Sequence, residues 1–311
     1  MNKTILSYGE MLWDLLPTDT VLGGAPCNFA YRVNSIGDKG LIVSRLGRDE
    51  LGKKAFEQLL SLGLETTYLQ WDDDHPTGTV PITFDENNNP EFTIIPDVAY
   101  DYIEMTDLLR EIAPKVDCLC FGTLSQRSAK SRQTLEELIE ISHDSLKLLD
   151  INLRKECYSL DTVANSLKKA DILKLNENEI YQIADMLKIG TRSNTEICNE
   201  LMDKWSLKCC VVTLGDKGVF AISKNEVVYE PGYKVGLVDS VGAGDAFTAG
   251  FAYCILRNLP LKEACQFGNI LGAIVCTQKG ATSPISKDEI DSFKDKRLDR
   301  IEEKSIINRV I

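Results

Sequence analysis

Histidine is nearly missing: the 311 residues contain two, His75 and His143. A His-rich zinc centre or a Ser-His-Asp triad is therefore not expected. The ten cysteines form no C-x-x-C pair, so the usual redox and zinc-ribbon spacings are absent. No apolar run is long enough to span a bilayer, and Met1–Tyr8 lacks the apolar core of a signal peptide, which argues against membrane insertion and export. Positive charge is also short. Lys and Arg number 35 against 47 Asp and Glu, a net charge of -12, so neither non-specific nucleic-acid binding nor an anionic membrane surface is expected. Two familiar phosphate motifs fail as well. No lysine follows the glycines near residue 242 to make a P-loop, and Phe247 stands where G-x-G-x-x-G needs its third glycine.

What is present is ordinary globular composition, 43% apolar and 26% charged, with ample length for a large core. Cys118, Cys120, Cys209, Cys210, Cys254 and Cys276 lie inside apolar segments and read as buried, reduced thiols of a cytoplasmic protein. Strand and helix alternate along the chain. Strands are expected at 4–8, 41–46, 116–121, 146–151, 171–175 and 208–213. Helices are expected at 28–36, 49–62, 128–142, 159–169 and 177–188. A short strand pair at 218–222 and 226–229 precedes two helices at 245–257 and 261–277, and the charged tail from Ser286 reads as helical. This rhythm predicts a mostly parallel central sheet with helices on its faces. It is interrupted by two extended runs at 78–84 and 91–95 around a polar turn at 85–90. With strands contributed by about 11–22, they predict a small β-sheet lid on a single domain spanning 1–311.

The most informative stretch is Asp239-Ser-Val-Gly-Ala-Gly-Asp-Ala-Phe247. Gly242 and Gly244 flank Ala243 at a predicted helix start. Free backbone N–H groups and the helix dipole favour an anion there, and glycine lets it approach. Asp245 would repel that anion, unless it takes a proton from a hydroxyl that attacks phosphorus. The same residues also fit a plain glycine-rich turn.

Four other stretches carry polar groups of the right kind. Gly23-Gly-Ala-Pro-Cys-Asn28 allows close backbone approach, and Asn28 offers donors and an acceptor to polyol hydroxyls; Asp14 can accept two hydroxyl donors. Asn28 also fits a helix N-cap. Asp150-Ile-Asn-Leu-Arg154 ends a strand, where ligands of open α/β sheets bind. Alternation places Asp150, Asn152 and Arg154 on one side. In Lys174-Leu-Asn-Glu-Asn-Glu179, Asn176 reads as an N-cap and Glu179 as its capping-box partner, or the pair serves a magnesium site. Thr213-Leu-Gly-Asp-Lys-Gly218 offers a turn, or amides and a hydroxyl for a nucleotide.

Taken in order, Gly9-Glu10, Asp14, Gly23-Gly-Ala-Pro-x-Asn28, Asn176-x-x-Glu179, Thr213-Leu-Gly-x-x-Gly218 and Asp239-x-Val-Gly-Ala-Gly-Asp-Ala-Phe247 resemble the ribokinase/pfkB family of sugar kinases. The match runs over nearly the whole chain. The Ala25-Pro26 variant, Phe121-Gly122 with Arg127, and Asp150-x-Asn-x-Arg154 look most like its fructokinases. Cys157-Tyr158 depart from the Leu-Trp pair that fructokinases carry after the arginine, and Ser240 stands where threonine is commonest.

The resemblance implies a Rossmann-like sheet with a β lid used for dimerisation, and ATP-dependent transfer to a primary sugar hydroxyl, with fructose first among acceptors. Other acceptors kept open are 2-keto-3-deoxygluconate, ribose or a nucleoside, and a non-catalytic sugar-binding regulator is the rival of another class. By position, Asp245 is the base and the amides of Gly242, Ala243, Gly244 and Asp245 the anion hole. Asp14, Gly23, Gly24, Asn28, Asn152 and Arg154 fall to the sugar. Lys174, Asn176, Thr213, Gly215, Gly218 and Asn269 fall to ATP. Asn176 and Glu179 would organise water-bound Mg²⁺, and backbone carbonyls near Asp239 and Val241 a K⁺ ion.

Overall fold

The computed structural model describes residues 2–16, 19–84, 90–191, 193–295 and 299–301. The chain starts with strand β1 (Thr4–Tyr8), followed by β2 (Leu12–Leu15), β3 (Thr20–Gly23), helix α1 (Ala25–Ser35), β4 (Lys39–Gly47) and α2 (Glu50–Ser61). Next come β5 (Leu69–Asp72), β6 (Gly78–Phe84), β7 (Pro90–Phe92) and α3 (Asp107–Ile112). Strand and helix then alternate through β8 (Cys118–Phe121), α4 (Ala129–Ile141), β9 (Leu146–Asp150), α5 (Leu160–Lys169), β10 (Ile172–Asn176) and α6 (Glu177–Leu187). Helix α7 (Asn194–Trp205) leads into β11 (Cys209–Thr213), β12 (Val219–Ser223), β13 (Val227–Glu230) and β14 (Gly232–Tyr233). Helices α8 (Ala243–Ile255), α9 (Leu261–Cys276) and α10 (Lys287–Asp295) follow, and β15 (Arg300–Ile301) comes last.

The central sheet has the order β13-β12-β11-β10-β9-β8-β1-β4-β5. Every pairing is parallel except β11–β12 and β12–β13. Its strands are apolar on both faces, as a sheet covered on both sides requires. On one face Leu6, Tyr8, Leu119, Phe121, Leu149 and Leu173 join the cluster of α4 to α7. On the other, Ile5, Cys118, Cys120, Leu148, Ile172 and Cys209 meet Phe29 of α1 and Phe247, Ala249 and Phe251 of α8. Nine of the ten cysteines are buried and Cys276 half-buried, which matches thiols packed as small apolar groups.

Local sequence sets the helix starts. The side chains of Asp49, Thr106, Ser128, Ser159, Asn176 and Ser193 each accept from an amide in the first turn of the helix that follows, as capping predicts.

The interruption at 78–95 is a second sheet, in the order β3-β2-β6-β7. Strands β6 and β7 pair antiparallel as read, Ile82 opposite Phe92; β7 ends at Phe92 rather than 95, and residues 85–89 of the turn lie outside the described residues. Strand β2 joins β3 antiparallel and β6 in parallel. Met11, Trp13 and Leu22 bury this sheet's base against Cys27, Ala30 and Tyr31 of α1.

Several elements stand where the sequence predicted none: β5, α3, α7 and the β14–β15 pair. One start is corrected. Helix α1 begins at Ala25, with Gly24 as its N-cap (φ 112°) and proline in the first turn, so Asn28 lies a turn inside rather than capping it. Proline's fixed φ and missing N–H favour that earlier start.

Candidate active site

In the sheet, β1 leads to β4 on one side while β8 lies on its other side. The strand order reverses there, and crevices beyond the carboxyl ends of such strands hold ligands. Helix α8 begins above this point. Its N-cap, Gly242, is left-handed (φ 77°) and offers no side-chain cap. A methyl group at Gly242 would lie 2.3 Å from Cβ of Ala281, so only glycine fits. Ala243 N donates to the Ser240 carbonyl at 3.2 Å, and no side chain caps the amides of Gly244 and Asp245 that follow.

Asp245 sits in this first turn. Asn28 Nδ2 donates to its Oδ2 at 2.8 Å. Burial and the neighbouring Asp150 push the Asp245 carboxyl up to about 6, against the pull of Asn28, Lys174 and Arg154. Asp150 is itself held. Lys174 Nζ donates to both its oxygens at 3.0 Å, because β9 and β10 pair with Lys174 opposite Asp150. Thr248 Oγ1 donates to Asp150 at 2.9 Å and to the Gly244 carbonyl at 2.8 Å. A buried acid-lysine pair, bolted to α8 by a threonine, therefore stands behind Asp245.

Two cavities flank the 243–245 turn, Asp245 lining one and Ala243 and Gly244 the other. The smaller, about 20 Å³, is lined by Glu10, Pro26, Gly122, Thr123, Asp150, Asn152 and Asp245 among others. Glu10 is buried, and burial pushes its carboxyl up to about 7 despite Arg154. Asp14 on β2 rests against Gly23, where a Cβ would lie 2.8 Å from its carboxylate oxygen. At Gly24 a Cβ would lie 2.5 Å from the Glu10 carbonyl. A side chain at either glycine would thus collide with the protein's own Asp14 carboxylate or Glu10 carbonyl. Burial raises the Asp14 carboxyl and Arg154 lowers it. The Oδ1 of Asn28 is buried with no partner among the described residues, an acceptor available to a ligand hydroxyl.

The larger cavity, about 520 Å³, is lined by Asn176, Thr213, Gly215, Gly218, Ala243, Gly244 and Asn269. Phe247, Tyr233, Leu237 and Ile301 add apolar wall. Asn269 Nδ2 donates to the carbonyls of Glu230 and Pro231 at 3.0 and 3.3 Å, fixing the loop that forms one side. The wall residues Tyr233, Leu237 and Ile301 were not expected from sequence. The exposed apolar pair Leu237 and Val238 beside the glycine motif was the available signal.

One expectation changes. The strand ends at Asp150, and Asn152 is left-handed (φ 44°), so alternation does not carry Asp150, Asn152 and Arg154 to one side. Arg154 is exposed yet acts electrostatically on Glu10, Asp14 and Asp245. Lys174 is absent from the lining of the large cavity; it serves Asp150, with Nζ 3.4 Å from where a Gly244 Cβ would stand.

The capping box is complete. Asn176 Oδ1 accepts from Asn178 N and Glu179 N, and Glu179 Oε2 accepts from Asn176 N at 2.8 Å. Glu179 Oε1 accepts from Leu153 N at 2.9 Å. Among the described residues no three His, Cys, Asp or Glu side chains cluster as a metal cage. Asn176 lines the large cavity and Glu179 stands behind it in the capping box, an amide and a carboxylate of the kind that meet Mg²⁺ through its waters. Asp239 accepts from Val241 N and Gly280 N, both at 3.0 Å, joining the turn that would offer carbonyls to K⁺ to the turn at 280.

A helix start without a side-chain cap, between two cavities at the carboxyl ends of a mostly parallel sheet, suits a phosphoryl-transfer enzyme. The pattern of the pfkB family carbohydrate kinases matches residues 17–288, and the chain belongs to that family. It is 30% identical to a sugar kinase of Pyrococcus horikoshii over 94% of this chain and 96% of that one. It is 28% identical to the fructokinase of Escherichia coli over 94% of this chain and all of that one. The ATP complex of the Pyrococcus protein, described as an uncharacterized sugar kinase, superposes with a TM-score of 0.78 over 93% of this chain and 99% of that one, at 28% identity. A Xylella fastidiosa fructokinase with bound ATP reaches 0.82 over 94% and 98%; at 21% identity it speaks for the fold. The protein is an ATP-dependent sugar kinase of the pfkB family. Among the described residues no helix is long and apolar enough to cross a membrane.

Proposed function

We propose that this kinase transfers the γ-phosphoryl group of ATP to a primary hydroxyl of fructose, with Asp245 as the base. The observation that carries this reading is the placing of consecutive residues of one helix start on two cavities, Asp245 on the smaller and Ala243 and Gly244 on the larger, with no side chain capping the amides. Phosphoryl transfer needs in-line placement and charge neutralisation more than covalent chemistry. Asp14 and Asn28 hold the sugar, with Gly23 and Gly24 allowing it close to the backbone and Asn152 and Arg154 at its edge. The small cavity is too narrow for a sugar ring, so it marks the inner end where the reacting hydroxyl meets Asp245. The hydroxyl oxygen bonds to the γ-phosphorus as the bond to the bridging oxygen breaks. The proton passes to Asp245, and ADP leaves with the bridging electron pair.

The amides of Gly242, Ala243, Gly244 and Asp245 receive the charge that develops on the phosphoryl oxygens. Thr213, Gly215, Gly218 and Asn269 frame the nucleotide, and Lys174 supports Gly244 from below through Asp150 and Thr248. Mg²⁺, when bound, supplies charge neutralisation on the phosphates; Asn176 and Glu179 hold its waters. K⁺ would sit on the carbonyls near Asp239 and Val241. The small sheet excludes water from the acceptor. Its outer strands β3 and β7 end the sheet and offer the contact to a second copy; light scattering at micromolar concentration would show a dimer, and a monomer there would remove that contact.

The test is ATP consumption with magnesium across a sugar panel led by fructose. Turnover with 2-keto-3-deoxygluconate, ribose or a nucleoside instead would keep the chemistry and change the acceptor. Sugar binding without any turnover would favour a regulator.

A further inference from the structure

Helix α1 carries a second polar side chain toward α8. Arg32 follows Asn28 by four residues, so the two lie on one face of the helix, one turn apart. Arg32 is 0% exposed. Burial pulls its guanidinium down to about 10, so it remains charged at neutral pH. Among the described residues no carboxylate pairs with it. Its Nη2 donates to the carbonyls of Ala281 and Ser283 at 3.0 and 3.1 Å, and Nε and Nη1 are buried without partners. Its guanidinium carbon lies 5.3 Å from the centroid of the Tyr31 ring, a contact worth less than an ion pair; removing a charge with no carboxylate partner from water is expensive, and an apolar side chain of similar volume would often serve stability as well or better. Packing alone therefore does not account for an arginine here.

What the arginine holds is informative. Ala281 is the residue that backs Gly242, with its Cβ 2.3 Å from where a Gly242 side chain would begin. Asp239 ties the same turn from the opposite side, accepting from Gly280 N at 3.0 Å. One face of α1 thus grips both ends of the anion-binding turn: Asn28 takes the Asp245 carboxylate, and Arg32 takes the 281–283 turn behind Gly242.

We propose that Arg32 is a positioning residue for phosphoryl transfer, holding the 281–283 turn by its carbonyls and so fixing the amides at 242–245. The proposal rests on reading those amides as the anion hole. Preorganised donors lose most of their effect when they can drift.

The test uses the full chain with Arg32→Met, which keeps volume, and Arg32→Ala, which leaves room for a free guanidinium ion. In Arg32→Met, kcat is expected to fall about 30–100-fold, less than for loss of a direct oxyanion donor. The KM values for ATP and sugar should move less than about threefold, with an unchanged or higher Tm. Guanidinium chloride at tens of millimolar should restore Arg32→Ala by about tenfold or more, a fraction of the loss. A folded Arg32→Met with kcat within about threefold of wild type would overturn the proposal. So would an Arg32→Ala deficit that guanidinium leaves untouched. If Arg32→Ala does not fold, Arg32→Met alone decides.

A wild-type chain that turns over no sugar would instead sink the fructose-kinase reading. Arg32 would then be judged by calorimetry with Mg²⁺, ADP and fluoroaluminate. Arg32→Met should weaken the fluoroaluminate complex about tenfold or more while leaving ADP alone; equal affinities would overturn it.

Discussion

Two helix starts face the same cleft and treat their amides in opposite ways. Helix α6 closes its own end: Asn176 and Glu179 take each other's backbone N–H groups, and Glu179 also takes Leu153 N. Helix α8 begins on a left-handed glycine with no side-chain cap. The first start is settled by local sequence alone and is a structural fixture as well as a cavity wall. The second leaves donors for something the chain does not supply, and places beside them a carboxyl that burial has made hard to ionise. Local satisfaction marks scaffold; its absence, held in place by long-range contacts, is where the proposed reaction is centred. The two starts should therefore fail differently when mutated.

The largest effect is expected at the open end. Asp245→Asn keeps the hydrogen bond from Asn28 but cannot accept the proton, and should lower kcat by roughly two to four orders of magnitude. The same substitution should not destabilise the fold. A carboxyl whose pKa is raised to about 6 contributes stability only while protonated. That contribution is complete below the usual carboxylate range and lost as pH rises through about 6. At pH 7 the neutral amide is then the easier group to bury. Activity runs the other way, since the base must be ionised: kcat/KM should fall about tenfold per pH unit on the acid side, with its limb near 6. A profile flat to pH 5, or near-normal turnover by Asp245→Asn, would remove Asp245 from the base role.

Next in size is Gly242→Ala. The left-handed φ and the 2.3 Å approach to Ala281 mean that a methyl group must push the turn off its position. A loss of kcat of about ten- to a hundredfold is expected, the scale of misplacing one oxyanion donor. If kcat stays within about twofold and only stability drops, the glycine serves packing and the open end is less open than it looks.

How far this contrast could be read in advance depends on how local each feature is. The capping box at 176–179, the glycine start at 242 and the alternation of strands are each written within a few residues, and all three were legible. The two extended runs of the small sheet were legible from period-two patterning. Apart from α7, a twelve-residue helix capped by Ser193, what escaped was non-local or short. The four-residue β5 at the sheet edge has a polar flank at 72–75 that reads as loop. The Lys174–Asp150 pair exists only because β9 and β10 take that register, whereas the resemblance assigned Lys174 to ATP. The wall formed by Tyr233, Leu237 and Ile301 joins residues that no spacing rule connects. Arg32 reads as one more helix residue until the 281–283 turn is seen over it.

The smallest effect, and the one that sharpens the contrast most, is expected at the closed end. Asn176→Ala removes the acceptor for two amides of α6, while Glu179 still reaches Leu153 N and Asn176 N, the backbone group that the substitution retains. The loss is that of a helix cap, about 1 kcal/mol, or a Tm lower by roughly 1–2 °C in a chain this long. Because the cap faces the nucleotide cavity, half-maximal activity should need more magnesium, by about two- to fivefold if a water-mediated contact is weakened, with kcat at saturating magnesium nearly unchanged. A magnesium titration beside thermal unfolding separates the possibilities. Loss of stability with no shift in the magnesium requirement would leave Asn176 a cap alone. A fall in saturated kcat approaching that of Asp245→Asn would mean that the closed end takes part in the chemistry, and that a helix start can satisfy itself and still belong to the reacting centre.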